Sequence, residues 1–131
     1  MRTILVLAAL LGLTACSAAD ADGPMASLQL LDAPVAVELL AERDDVVIID
    51  VRTPEEYAAG HLYGAQLIDI QGEDFAGRIA QLEPDATTFV YCRTGNRSAE
   101  AVEMMNQQGF SDVFDAGGYA DLTEAGAPAN R

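Results

Sequence analysis

The run Asp45-Val46-Val47-Ile48-Ile49-Asp50-Val51 constrains the fold more than any other segment of the chain. A strand with one wet face alternates apolar and polar residues. This run does not alternate, so both of its faces must be covered, as in a parallel sheet between two layers of helix. The flanking segments agree. Asp32 is placed to cap a helix over 34–42, with Pro34 tolerated in its first turn. Thr53-Pro54-Glu55-Glu56 reads as a helix start: Thr53 caps, Pro54 takes the first position and Glu56 completes a capping box. Gly60 ends that short helix. There follow a strand over 65–70, a helix over 73–82 ended by Pro84, and a strand over 87–91. A helix over 98–108 stops at Gly109, a strand over 111–114 is broken at Gly117-Gly118, and a short helix lies near 119–122. The alternation predicts one α/β domain over residues 28–125, with a mostly parallel central sheet flanked by helices. A chain of 131 residues has room for one such core and shows no repeat or second domain. The stretch 126–131 reads as a frayed tail.

The second β run, Thr87-Thr88-Phe89-Val90-Tyr91, ends in Cys92. Five loop residues, Arg93-Thr94-Gly95-Asn96-Arg97, separate it from Ser98, which opens the next helix. A cysteine between the end of a strand and the start of a helix sits where backbone N–H groups converge and the helix dipole is positive. Such a place favours a thiolate and attracts anions. Gly95 lets the loop take a positive φ where a side chain would clash. Nucleophilic sulfur chemistry on an anionic substrate follows from this arrangement.

Composition narrows the field. The seven basic residues are all arginine and face 21 acids, a formal charge of -14. So few cations build no basic face, which argues against nucleic acid as a partner. The acidity itself reads as solubility. At the N-terminus, Met1-Arg2 precedes an apolar run over 4–13 that is too short to span a bilayer, the pattern of a signal-peptide core. It ends in Leu13-Thr14-Ala15-Cys16, which resembles the lipobox of bacterial lipoproteins. That resemblance implies removal of residues 1–15, lipidation of Cys16 and a membrane-tethered protein. The competing reading is ordinary cleavage near Ala15 or Ala18-Ala19, with Cys16 incidental. Ser17 follows the cysteine in place of the aspartate that retains lipoproteins in the inner membrane. The resemblance therefore favours the periplasmic face of the outer membrane. Residues 16–27 read as a flexible tether. Without residues 1–15, six arginines oppose 21 acids, a charge of about -15. With Cys16 lipidated, Cys92 is the only thiol of the mature chain: a reactive group or an inert buried one. One histidine, His61, and one free cysteine nearly exclude a structural zinc site, and no metal or other cofactor is expected.

Three separated motifs then converge on one family. Asp50-Val51-Arg52-Thr53-Pro54-Glu55-Glu56-Tyr57, Gly60-His61-Leu62-Tyr63-Gly64-Ala65 and Val90-Tyr91-Cys92-Arg93-Thr94-Gly95-Asn96-Arg97-Ser98 resemble the rhodanese (thiosulfate sulfurtransferase) family. Asp115-Ala116-Gly117-Gly118 followed by a short helix is similar to that family's C-terminal end. The likeness covers about residues 28–125 and is greatest to small single-domain rhodaneses exported to the periplasm. It implies a ping-pong enzyme, expected to be a monomer. Cys92 attacks the outer sulfur of thiosulfate, sulfite leaves, and an acceptor such as cyanide or a thiol discharges the Cys92 persulfide. The loop Arg93, Thr94, Gly95, Asn96, Arg97 and Ser98 would cradle the substrate, a nest of N–H donors for the anionic sulfur.

Each residue also has a plainer reading. Cys92 is otherwise a small buried hydrophobe, Arg93 a solvated side chain, and Ser98 a helix cap. Arg97 either aims at thiosulfate or braces the loop. Asp50 and Arg52 read as a supporting structural pair near the site, and His61 as structural. Two other functions stay open: a persulfide carrier that never meets free thiosulfate, and a phosphatase or arsenate reductase of the branch sharing this fold. That branch spaces cysteine and arginine by five residues. Here four separate Cys92 from Arg97, a tighter cradle suited to sulfur.

Overall fold

The computed structural model describes residues 30–130. The leader, the lipidation site Cys16 and the whole tether inferred from sequence lie outside the described residues. Helix α1 (Ala33–Glu42) leads into β1 (Val47–Asp50), α2 (Pro54–Ala59), β2 (His61–Leu62) and β3 (Gln66–Leu67). Then come α3 (Phe75–Ile79), β4 (Thr88–Cys92), α4 (Asn96–Gln107), β5 (Val113–Gly118), α5 (Tyr119–Glu124) and β6 (Ala129–Asn130). Four strands form a parallel sheet in the order β3-β1-β4-β5.

The unbroken aliphatic run has the expected cause. Val47, Ile49 and Val51 join Val90 and Cys92 on one face, against Phe75 and Ile79 of α3 and Ala101, Val102 and Met105 of α4. Val46, Ile48, Phe89 and Tyr91 face the other way, toward Ala36 of α1 and Leu122 of α5. Alternate residues serve two cores, so neither face is polar.

The sheet order also explains where chemistry can sit. From β1 the chain moves outward to β3, whereas from β4 it moves in the opposite direction to β5. The carboxyl ends of β1 and β4 therefore flank the point where the winding reverses, where loops diverge and leave a crevice. Asp50 and Cys92 are the last residues of those two strands.

Several boundaries differ from expectation. Asp32 precedes α1 but makes no side-chain capping bond. Strand pairing continues past β3 through hydrogen bonds from Ile68 and Ile70 to the carbonyls of Asp50 and Val51, but α3 is shorter than 73–82. Strand β5 does not break at Gly117-Gly118. It runs through them, because a bulge opposite Val90 and Tyr91 lets Gly117 take φ 81° inside the ladder. The frayed tail is also corrected. Ala129 and Asn130 pair antiparallel with Leu62 and His61, the Ala127 amide donates to the Leu122 carbonyl, and Ala127 is buried. Two-residue strands carry no periodicity, so only the tertiary pairing defines them. His61 fills the structural place expected of it: its ring stacks on Tyr57 at 3.7 Å, with Nδ1 2.9 Å from the Tyr57 carbonyl.

Candidate active site

Cys92 ends β4 with its side chain in the core, 0% exposed. Its Sγ accepts a hydrogen bond from the Gly95 amide at 2.9 Å and lies 3.5 Å from Ser98 Oγ. The loop that shapes this contact is shorter than the sequence suggests. Helix α4 begins at Asn96, not Ser98, so three residues, Arg93-Thr94-Gly95, connect sulfur to helix. Gly95 is the N-cap, with φ 99° and ψ -13°. That left-handed conformation costs a side-chain-bearing residue about 1–2 kcal/mol, and it turns the Gly95 N–H back onto the sulfur. Ser98 therefore does not cap. It sits in the first turn and its hydroxyl donates to the Gly95 carbonyl at 3.0 Å. The first intrahelical bond of α4 is Ala99 N–H to Gly95 C=O. The amides of Asn96, Arg97 and Ser98 at the helix start thus have no acceptor within the helix. With the Gly95 amide on Sγ, the sulfur sits at the positive end of a 12-residue helix.

A second glycine fixes the far side of the loop. A Cβ on Gly118 would stand 2.8 Å from the Arg93 carbonyl oxygen, so β5 approaches the loop as closely as it does only because Gly118 has no side chain.

The arginines divide their roles. Arg97 is taken: its guanidinium grips both oxygens of Glu56 at 2.8 and 2.9 Å. Glu56 Oε2 also accepts from the Thr53 amide at 3.0 Å, and the Thr53 hydroxyl accepts from the Glu56 amide at 3.3 Å. The expected capping box of α2 is therefore also a clamp on the first turn of α4. Of the two sequence readings of Arg97, this geometry is the brace. Arg93 is exposed, with no carboxylate within ion-pair distance among the described residues. Thr94 and Asn96 are exposed as well.

Beneath the loop, Asp50 and Arg52 form a buried pair. The guanidinium contacts both carboxylate oxygens, at 2.7 to 3.1 Å, and donates to the Gly60 carbonyl at 2.6 Å. Burial lowers the arginine's proton affinity, but the bonds to Asp50 more than offset that, and the group stays firmly charged. Tyr91 donates to Asp50 at 2.7 Å and accepts from the Leu62 amide at 3.0 Å. Burial first, then the bond to Asp50, pushes its phenol well above the ordinary range. The Arg52 guanidinium lies 4.4 Å from the Tyr119 ring and 5.5 Å from that of Tyr91. Glu56, Tyr91 and Tyr119 belong to this site and were not singled out from sequence. The capping-box spacing gave Glu56 a sufficient local role, and the tyrosines stood in apolar runs.

Glu56 gives the site an acid limit. Its hydrogen bonds from Arg97, and then from the Thr53 amide, hold its carboxyl at about 2 against an ordinary 4.5. A carboxyl depressed on folding contributes stability that is complete above the ordinary value and is lost as pH falls toward 2. Between pH 4.5 and 2 the urea midpoint of the wild type should fall more steeply than that of Glu56→Gln. Parallel curves would show that the clamp contributes nothing. Both side chains are partly exposed, at 21% and 25%, so salt should blunt the difference.

Comparison with known proteins agrees with this geometry. The rhodanese-like domain model matches residues 33–125. The chain is 38% identical over 90 residues to thiosulfate sulfurtransferase GlpE of Pseudomonas putida, covering 69% of this chain and 80% of that one. It is 41% identical over 76 residues to thiosulfate sulfurtransferase PspE of Escherichia coli, covering 56% and 71%. Among solved structures, a rhodanese-related protein of Thermoplasma volcanium superposes with a TM-score of 0.67 at 30% identity, covering 78% of this chain and 97% of that one. A rhodanese with anions from E. coli gives 0.56 at 32% identity, covering 66% and 98%. A family match over most of the domain, with a cysteine cradled between β4 and α4 at the reversal of a parallel sheet, establishes that the chain belongs to the rhodanese family of sulfurtransferases.

Proposed function

We propose that the chain moves sulfane sulfur from thiosulfate, or a similar small anionic donor, to a thiophilic acceptor through a persulfide on Cys92. One observation carries the reading: Cys92 Sγ, at the N-terminal end of α4, holds the Gly95 N–H at 2.9 Å with the Ser98 hydroxyl beside it. The naming of relatives as thiosulfate sulfurtransferases supports the choice of donor. The Cys92 thiolate attacks the outer sulfur of thiosulfate. The old sulfur–sulfur bond breaks and its electron pair leaves on sulfite, while a new bond forms between Sγ and the transferred sulfur. The terminal sulfur of the persulfide is anionic. The Gly95 amide and the open first-turn amides of α4 are the groups suited to hold it, and they need no reorganisation at the moment of transfer. Ser98 Oγ now faces the Gly95 carbonyl and can rotate toward sulfur when the sulfur carries charge. An external base is unnecessary once the thiolate is formed.

Recruitment of the anion is local. The molecule is strongly acidic, and exposed charges beyond roughly 8–10 Å are screened at physiological salt. Arg93 is the group on the loop free to meet a dianion, since Arg97 is held by Glu56. The experiment is intact-mass analysis after thiosulfate treatment, followed by cyanide. One added sulfur that cyanide removes, with steady-state turnover of the two reagents, supports the enzyme. Sulfur accepted only from another protein supports a carrier, and no added sulfur overturns both.

The location is part of the same proposal: lipid on Cys16 tethers the domain to the cell envelope, at the periplasmic face of the outer membrane. The Leu-Thr-Ala-Cys junction after the apolar run supports this. No helix among the described residues is long and apolar enough to cross a membrane. Full-length Cys16→Ser should therefore leave the membrane fraction, and its retention there would sink the anchor.

A further inference from the structure

Of the three arginines around the active loop, two are already paired. Arg52 is held by Asp50 and Arg97 by Glu56, which leaves Arg93 as the open cation. Glu56 and Arg93 line one cleft of about 370 Å³. The charge of Glu56 is more than its local fold requires. A capping box works with glutamine as well as glutamate at this position, because a neutral carbonyl oxygen also accepts from the Thr53 amide. The negative charge is therefore directed at Arg97, which it meets with two bonds at 2.8 and 2.9 Å. The Arg97 guanidinium is partly exposed and lies within electrostatic reach of the nucleophile. Its bonds to Glu56 first, and then the charges of Cys92 and Asp69, raise its proton affinity.

We propose that Glu56 sets the anion selectivity of the site: by occupying Arg97 it keeps the loop from becoming a tight trap for inert tetrahedral oxyanions such as sulfate and phosphate. The inference rests on the thiosulfate reading above and adds a residue that determines specificity. Sulfate has the charge and nearly the shape of thiosulfate, with oxygen where thiosulfate carries its outer sulfur. Guanidinium groups hold the two alike. Only the reaction at Cys92 tells them apart, since only thiosulfate has a sulfur to give up. A second open arginine would therefore tighten the inert anion as much as the substrate. Binding that is equal in ground and transition states lowers KM without raising kcat. Its consequence here is a site filled by sulfate wherever sulfate is the more abundant anion. With Arg97 held, the dianion meets one open guanidinium and the loop amides, and affinity for both anions stays low.

The test measures anion binding with and without turnover. Isothermal titration with sulfate or phosphate reads the first, and inhibition of thiosulfate turnover by the same anions reads the second. In Glu56→Gln the dissociation constant for sulfate and the KM for thiosulfate should both fall about tenfold, the effect expected of one added charge-assisted contact, with no rise in kcat. Glu56→Asp keeps the charge and should stay near the wild type. Asp69 is the other carboxylate whose charge reaches Arg97, so Glu56→Gln, Asp69→Asn should gain at least as much. Glu56→Gln, Arg97→Gln should lose the gain. A loss of structure weakens binding, so the expected tightening has the opposite sign from damage to a brace. Sulfate bound no more tightly by either charge-removing variant would make Glu56 a brace alone and overturn the selectivity role. A gain that survives without Arg97 would overturn it as well. Tighter sulfate binding by a protein that never loads sulfur from thiosulfate would instead remove the sulfurtransferase reading and leave the anion site standing.

Discussion

Replacing Cys92 with serine abolishes sulfur transfer, with turnover of thiosulfate and cyanide falling by at least about 10³-fold and no added sulfur in the intact mass. The size follows from the chemistry: a hydroxyl beside the same amides is not ionised near neutrality and cannot store sulfane sulfur. The substitution separates chemistry from folding. Serine is close in shape to cysteine, and at this position it keeps the Gly95 N–H and the Ser98 hydroxyl as partners. Its urea midpoint should therefore stay near that of the wild type. Residual turnover in a well-folded Cys92→Ser protein would place the nucleophile elsewhere. The prediction has an internal safeguard, because Cys92 is the free cysteine among the described residues.

That Cys92 mattered was legible in the chain because its signal was local. A β-type run, a cysteine, a glycine and a helical segment lie within a dozen positions, and each element constrains its neighbour. The sheet was legible for a similar reason. Only strands covered on both faces lack alternation, and Val47–Asp50 and Thr88–Tyr91 lie side by side in the centre of the sheet. The peripheral pieces were less readable. Strands β2 and β6 have two residues each and exist because the tail finds His61 and Leu62. Strand β5 passes through Gly117-Gly118, which by composition is a breaker, since a bulge absorbs the positive φ of Gly117.

Inside the site, the missing information was long-range. Arg97 and Glu56 are 41 positions apart, and each had a satisfactory local explanation, one as the residue closing the loop and the other as half of a capping box. Nothing in either segment signals the other. Pairing them changes the assignment of labour on the loop, since a guanidinium already holding a carboxylate at 2.8 Å is a brace and leaves the exposed Arg93 to meet the anion. The early start of α4 has a related cause. Sequence favours Ser98 as a cap, but Gly95 in the left-handed region begins the helix before Ser98 is reached, which releases the serine hydroxyl to sit against sulfur.

Asp50→Ala should be the most destabilising single change at the site, lowering the unfolding free energy by about 3–5 kcal/mol. Asp50 is fully buried and Arg52 is 4% exposed. Removing the carboxylate leaves a guanidinium in the interior with the Gly60 carbonyl as its remaining acceptor, and the Tyr91 hydroxyl without the acceptor it holds at 2.7 Å. A domain of this kind has roughly 5–15 kcal/mol in total, so the variant should sit near its stability limit. The pair is not expected to be a large net stabiliser, because each ion pays desolvation on burial. The double variant Asp50→Ala, Arg52→Met should therefore recover much of the loss, and the coupling between the two changes should exceed about 1 kcal/mol. Denaturant unfolding of the wild type, both single variants and the double variant closes the cycle. The functional readout is separate. Cys92 keeps the Gly95 N–H and the Ser98 hydroxyl beside it, so the recovered double variant should still load sulfur on Cys92. An Asp50→Ala protein within about 1 kcal/mol of wild type would mean that water reaches Arg52 and that the pair is a surface feature, against its burial.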